Sequence, residues 1–149
     1  MRQIGYAMQF RGSAGPQEGK ENELSARSGS TTNGLSTALG ADGPTVSVDD
    51  APAERASFTS SVQIAEDGSF TEDGTIDFGA AGTLDFSTIG SGWMGPSAVD
   101  GLTHGAINWR IDGGTGPLAG ASGIITSNFT VSGSGDVVDN QWGVIFVAD

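Results

Sequence analysis

The sequence predicts an all-β fold, an eight-stranded antiparallel barrel closed on itself with little helix. Two features carry that prediction. Most segments alternate apolar and polar residues with the period of two of a half-buried strand, turn residues recur at short intervals, and almost nothing has helical periodicity. Residues 113–123, Gly-Gly-Thr-Gly-Pro-Leu-Ala-Gly-Ala-Ser-Gly, also place four glycines in their first eight positions, between two such segments. Glycine takes positive φ and lets backbones approach closely, so this density marks a tightly folded corner.

Residues 3–11 make a good first strand, with Ile4, Tyr6, Met8 and Phe10 on one face and Gln3, Gly5, Ala7, Gln9 and Arg11 on the other. From Gly12 to Gly43 the chain turns to Gly, Ser, Thr and Ala. That composition reads as a long Gly/Ser-rich excursion carrying at most one short strand or helical turn, with Glu21–Arg27 and Leu35–Leu39 its only packable stretches. Alternation resumes at Thr45–Asp49 and Ala56–Ile64, which turn Val46 and Val48, then Phe58, Val62 and Ile64, toward a core. Glu66-Asp-Gly68 marks a turn.

Next comes an internal echo, Thr75–Phe78 and Thr83–Phe86. A three-residue loop, Ala80–Gly82, would pair Phe78 with Leu84 and Ile76 with Phe86, setting Asp77 opposite Asp85. Apposed carboxylates repel unless water or a cation screens them, or one holds a proton. A solvated outer face accounts for both aspartates; an acid/base pair or a metal clasp is the alternative.

Between Ser91 and Thr103, Trp93, Met94 and Leu102 stand among turn formers, where they should either cap the core or line the mouth of a ligand cavity. His104 opens a strand in which Ile107, Trp109 and Ile111 alternate with Ala106, Asn108, Arg110 and Asp112. After the glycine corner, Ile125, Phe129 and Val131 share one face and Ile124, Thr126, Asn128 and Thr130 the other. The last strand, Val137 to Val147, is apolar on both faces around Val144–Val147. Such a strand needs cover on both sides, so a homo-oligomer, dimer or trimer, is expected.

The 149 residues suit one domain with a single core. Cysteine is absent, which removes disulfides, thiolate catalysis and thiolate zinc sites and fits a reducing compartment, so the expected location is the cytoplasm. The start shows no apolar run of signal-peptide or membrane-spanning length. Eighteen acids against six bases give a net charge of −12, which repels phosphate backbones and anionic lipid, so neither nucleic acid nor membrane is an expected partner.

The segment Ile107 to Val131 carries a strand, Gly113-Gly114-Thr115-Gly116, Leu118, then Gly120 and Gly123 leading into another strand. In this it resembles the signature segment of the allene oxide cyclase and dirigent-type barrels, and the likeness continues loosely through Thr126–Phe129 to the final strand. Pro117 departs from the pattern. The resemblance covers roughly the last forty residues. It implies an eight-stranded, calycin-like barrel with an apolar lumen, often trimeric, in a superfamily that cyclises or steers reactive lipid-like and phenolic intermediates without a cofactor. The catalytic carboxylates of that family lie outside the glycine segment, and no motif here matches them.

The residues themselves exclude much chemistry. With one histidine, a Ser-His-Asp hydrolase would have to use His104, and no Gly-x-Ser-x-Gly elbow displays a nucleophile. Histidine-built zinc or iron sites fail on the same count, and the glycine corner lacks the lysine of a phosphate loop. What remains is work that a dry pocket does with few polar groups: isomerisation, cyclisation, hydration or dehydration of a small apolar molecule. On that reading Tyr6, Trp93, Trp109 and Trp142 supply aromatic walls, Arg110 or Asn128 stabilises developing oxyanion charge, and His104 or one of Asp77 and Asp85 moves the proton. Trp109 and Arg110 lie on opposite faces, so only one can line the lumen unless a bulge intervenes. A barrel that binds a small hydrophobic ligand without converting it, and a purely structural oligomer, are the rival readings.

Overall fold

A computed structural model describes residues 1–30, 34–49 and 56–149. Alternating segments become eleven strands: β1 (Arg2–Pro16), β2 (Glu23–Ser30), β3 (Gly34–Gly40), β4 (Gly43–Asp49), β5 (Ser57–Ile64), β6 (Phe70–Asp77), β7 (Thr83–Thr88), β8 (Trp93–Pro96), β9 (Leu102–Gly114), β10 (Ser122–Ser132) and β11 (Asp136–Val147). Eight of them pair antiparallel in the order β10-β11-β1-β2-β5-β6-β7-β9, and β9 pairs again with β10, so the sheet closes into a barrel. Short β8 adds to the start of β9, and β3 with β4 forms a separate hairpin. Among the described residues no helix is long and apolar enough to cross a membrane.

The barrel has the expected number of strands but not the expected members. Residues 12–43, read as an excursion, hold the end of β1, barrel strand β2 and the hairpin strand β3. Strand β4, expected to face a core through Val46, stands outside the barrel with Val46 exposed, and the Val48 side chain lies outside the described residues. Strand β2 escapes a search for large apolar residues because its inward positions include Ala26, Ser28 and Ser30.

The β6–β7 hairpin also differs. A 3₁₀ turn at Gly79–Ala81 lengthens the loop, and Phe78 N–H donates to Gly82 O at 2.9 Å. The register therefore moves by two residues, pairing Asp77 with Thr83 and Asp85 with Thr75. The two aspartates are not opposite one another.

The glycine corner links β9 to β10 and docks on that hairpin, with Thr115 N–H donating to Thr83 O at 3.0 Å. Gly116, at φ +56, starts the corner's 3₁₀ turn. Gly123, at φ +142, lets β10 meet β11 so closely that a Cβ there would stand 2.2 Å from Val144 O. Gly123→Ala is expected to cost about 2–4 kcal/mol through backbone strain and overpacking against main chain, read by urea denaturation.

Inside, the wall is filled unevenly. At the end closed by the two 3₁₀ turns, Ile4, Tyr6, Ile76, Leu84, Ile125, Ile145 and Val147 interdigitate as a packed core. Full burial of such a side chain stabilises the fold by about 1.5–3 kcal/mol. Midway, Phe58 stacks on Phe86 at 5.4 Å between ring centroids and meets Phe10 and Trp109 at 5.8 and 5.6 Å. Beyond this aromatic layer the lumen is filled only in part, Phe70 packing edge-on against Phe129 at 5.8 Å beside open space.

Candidate functional site

A cavity of about 290 Å³ occupies the other end of the lumen. Its walls come from the end of β1, β2, β5, the starts of β6, β9 and β11, the end of β10, and Met94 of β8. The space exists because Ala14, Ala26 and Ser28 stand where the packed end carries larger residues, while Leu24, Val62, Phe70, Phe129, Val131 and Val137 make the lining apolar. Phe58 belongs both to the aromatic layer and to the lining.

Two acids, Glu72 and Asp139, face this space. Each holds an inward position on its strand: Glu72 lies two residues after Phe70 and four before Ile76, and Asp139 lies between Val137 and Gln141. Ser60 Oγ donates to Glu72 Oε1 at 2.5 Å. Asp139 takes Ser127 Oγ on Oδ1 at 2.6 Å and Gln141 Nε2 on Oδ2 at 2.8 Å. Tyr6 OH then donates to Gln141 Oε1 at 2.7 Å, which fixes the amide so that its NH₂ points to the carboxylate. A four-residue chain of hydrogen bonds thus runs from the packed end to the cavity.

Burial opposes the charged form of both acids. Loss of water is the main cause that lifts Glu72 from 4.5 to about 7, with the nearby Asp139 charge adding to it and the Ser60 hydrogen bond working against it. Burial likewise lifts Asp139 from 3.8 to about 6 against its bonds from Ser127 and Gln141. Because each charge opposes the other, the two titrate as a pair near neutrality. Burial, then Asp139, pushes the Tyr6 phenol well above its usual range and keeps it a neutral donor. The buried Trp109 indole N–H closes no hydrogen bond, though it lies near enough to Glu72 to favour its ionised form.

None of the nine residues singled out from sequence lines this cavity. Asp77, Asp85, His104, Arg110 and Asn128 lie on the exposed outer wall. There Asp77 accepts the Gly79 N–H, Asp85 accepts Thr75 Oγ1, and Arg110 pairs with Asp112 at 2.8 Å. His104 packs outside the barrel against exposed Trp93, with centroids 5.2 Å apart, and Trp142 is exposed too. Tyr6 and Trp109 do point inward, Tyr6 in the packed end and Trp109 in the aromatic layer. Of the large residues expected in 91–103, Met94 lines the cavity and Trp93 does not; Thr103 lines it as well.

The barrel and its acid-bearing cavity define a class, a closed β-barrel with a small, mostly apolar internal cavity. Compared with protein-family models, curated proteins and solved structures, the chain finds no significant match.

Proposed function

We propose that the protein is a cofactor-independent isomerase, cyclase or hydro-lyase acting on a small, largely apolar molecule held in the barrel cavity. The observation that carries this reading is a pair of buried carboxylates, both poised to exchange protons near neutral pH, in an apolar pocket. Asp139, the more acidic and held by two donors, serves as general base. Glu72, protonated over more of the neutral range, serves as general acid and faces the cavity beside the Ser60 hydroxyl. The resemblance of the glycine corner to the allene oxide cyclase and dirigent-type barrels supports the same class of reaction, and the working location is the cytoplasm.

A non-catalytic carrier is the second reading, favoured by walls that are apolar apart from a few hydroxyls, the two acids and Arg27 at the edge. Incubation with mixed small lipids, terpenoids and phenolics, followed by mass spectrometry of bound and free species, separates the two. Conversion supports the enzyme, binding without conversion supports the carrier, and neither overturns both. Ala26→Phe, which fills the cavity from β2, is expected to weaken binding at least tenfold while the barrel's thermal transition stays close to that of the wild type.

The proposed partner on the outside is a second copy of the chain. On the outer wall Gln3, Gly5 and Ala7 of β1, Phe146, Val144 and Trp142 of β11, and Ser122, Ile124 and Thr126 of β10 form a three-by-three block without a charge. Trp142 is 65% and Ile124 53% exposed there. On a chain of net charge −12, an uncharged face is where two copies can meet without repulsion. Sedimentation should show association of the wild type and monomers for Trp142→Asp; a wild-type monomer at high micromolar concentration overturns this.

A further inference from the structure

We infer that the cavity is selective for a protonated amine carried on a small apolar body, and discriminates against carboxylic acids. The inference rests on the reading of the cavity as a ligand site and narrows the chemistry of what enters.

Among the described residues, every ionisable side chain turned into the lining is an acid, Glu72 or Asp139. Arg27 reaches the boundary of the space, but its side chain is exposed and, among the described residues, forms no ion pair with either acid. Among the described residues no buried cation balances the pair, so two carboxyl groups face an apolar space supported by neutral donors, Ser60, Ser127 and Gln141, with the Trp109 indole near Glu72. Such a site lacks a counter-charge, and an ammonium group supplies one together with the donors that carboxylate oxygens accept. Glu72, which takes the Ser60 hydroxyl on Oε1 and has the Trp109 indole nearby, is the acceptor that meets it at the cavity wall.

The rest of the site fits the other end of that ligand. Phe58, Phe70 and Phe129 offer ring surfaces to a hydrocarbon body, and aromatic faces also favour cations. A carboxylate ligand meets the opposite conditions: two like charges, no cation, and the repulsion of the whole chain at −12. A bare metal ion asks for about six oxygen ligands and gains nothing from apolar walls.

The test uses three probes that share one ring and differ in their head group: 2-phenylethylamine, 2-phenylethanol and phenylacetate, titrated into the full-length protein by calorimetry at pH 7.5. The amine is expected to bind at least tenfold more tightly than the alcohol, and phenylacetate more weakly than either. In Glu72→Gln the amine should lose at least tenfold while the alcohol changes less than threefold. That contrast separates the site from general attraction of cations, because the variant keeps nearly all of the chain's negative charge. Equal binding of amine and alcohol, or tighter binding of phenylacetate, overturns the selectivity and leaves the cavity reading standing. Failure of all three to bind overturns both.

Discussion

Lowering the pH from 8 to 5 is expected to stabilise the protein, and Glu72→Gln is expected to remove about half of that gain while making the chain more stable than the wild type at pH 8. The sign follows from the direction of the two shifts. Glu72 and Asp139 bind protons more tightly folded than unfolded, with values raised from 4.5 to about 7 and from 3.8 to about 6. Over that window the native state holds more protons, so stability falls as pH rises. Below the unfolded values both states are protonated and the stabilising contribution is complete. Above about 7 the fold must hold two charges in the dry lumen.

At about 1.4 kcal/mol for each tenfold change in proton affinity, each acid would cost on the order of 3 kcal/mol when charged. Glutamine keeps the shape and can still accept the Ser60 hydrogen bond without the charge. Thermal and urea unfolding of wild type and Glu72→Gln from pH 5 to 8 measures this. Parallel curves over the whole range would show that Glu72 is not the source.

Turnover, once a converted substrate is found, is expected to fall at least about 100-fold in either Asp139→Asn or Glu72→Gln, the range that a positioned proton-transfer group contributes. For the wild type, kcat/KM should trace a narrow bell, its rising limb near 6 where Asp139 ionises and its falling limb near 7 where Glu72 loses its proton. Those limbs belong to the pair, so each single variant should remove one limb and move the other. A rate flat from pH 5 to 8, or full activity in both variants, would leave the acids with no part in proton transfer and favour a carrier.

Strands β1, β5, β9 and β10 could be read from the sequence because apolar side chains recur at alternate positions, β11 because it is apolar on both faces around Val144–Val147, and the glycine corner announced the tight β9–β10 link. Strand β2 could not, since small inward residues leave no period for the eye. The same property hid the cavity, which is made of what β1 and β2 lack. Register in the β6–β7 hairpin was out of reach because it depended on a 3₁₀ turn worth two residues, and with it went the expected Asp77–Asp85 pair.

The site acids were legible, but in a different place from where acids usually draw notice. Asp77, Asp85, Arg110 and Asn128 stand out as polar residues on alternating strands, and alternation is what puts them outside. Glu72 and Asp139 instead fall in step with the apolar face, Glu72 with Phe70 and Ile76, Asp139 with Val137, Ile145 and Val147. An acid that keeps the beat of the core is the signal to follow. Tyr6 and Trp109 keep the same beat, yet whether an inward residue meets a ligand or a neighbour depends on how far along the barrel it sits.

The uneven filling of the lumen divides the molecule's labour. One end, sealed by the docked turns, is filled by large side chains, whereas the other is bounded in part by the short side chains of Ala14, Ala26 and Ser28. Exchanging those three for other small or medium residues would remould the chamber with little penalty to folding, so one scaffold could be retuned to successive guests while its foundation stays untouched.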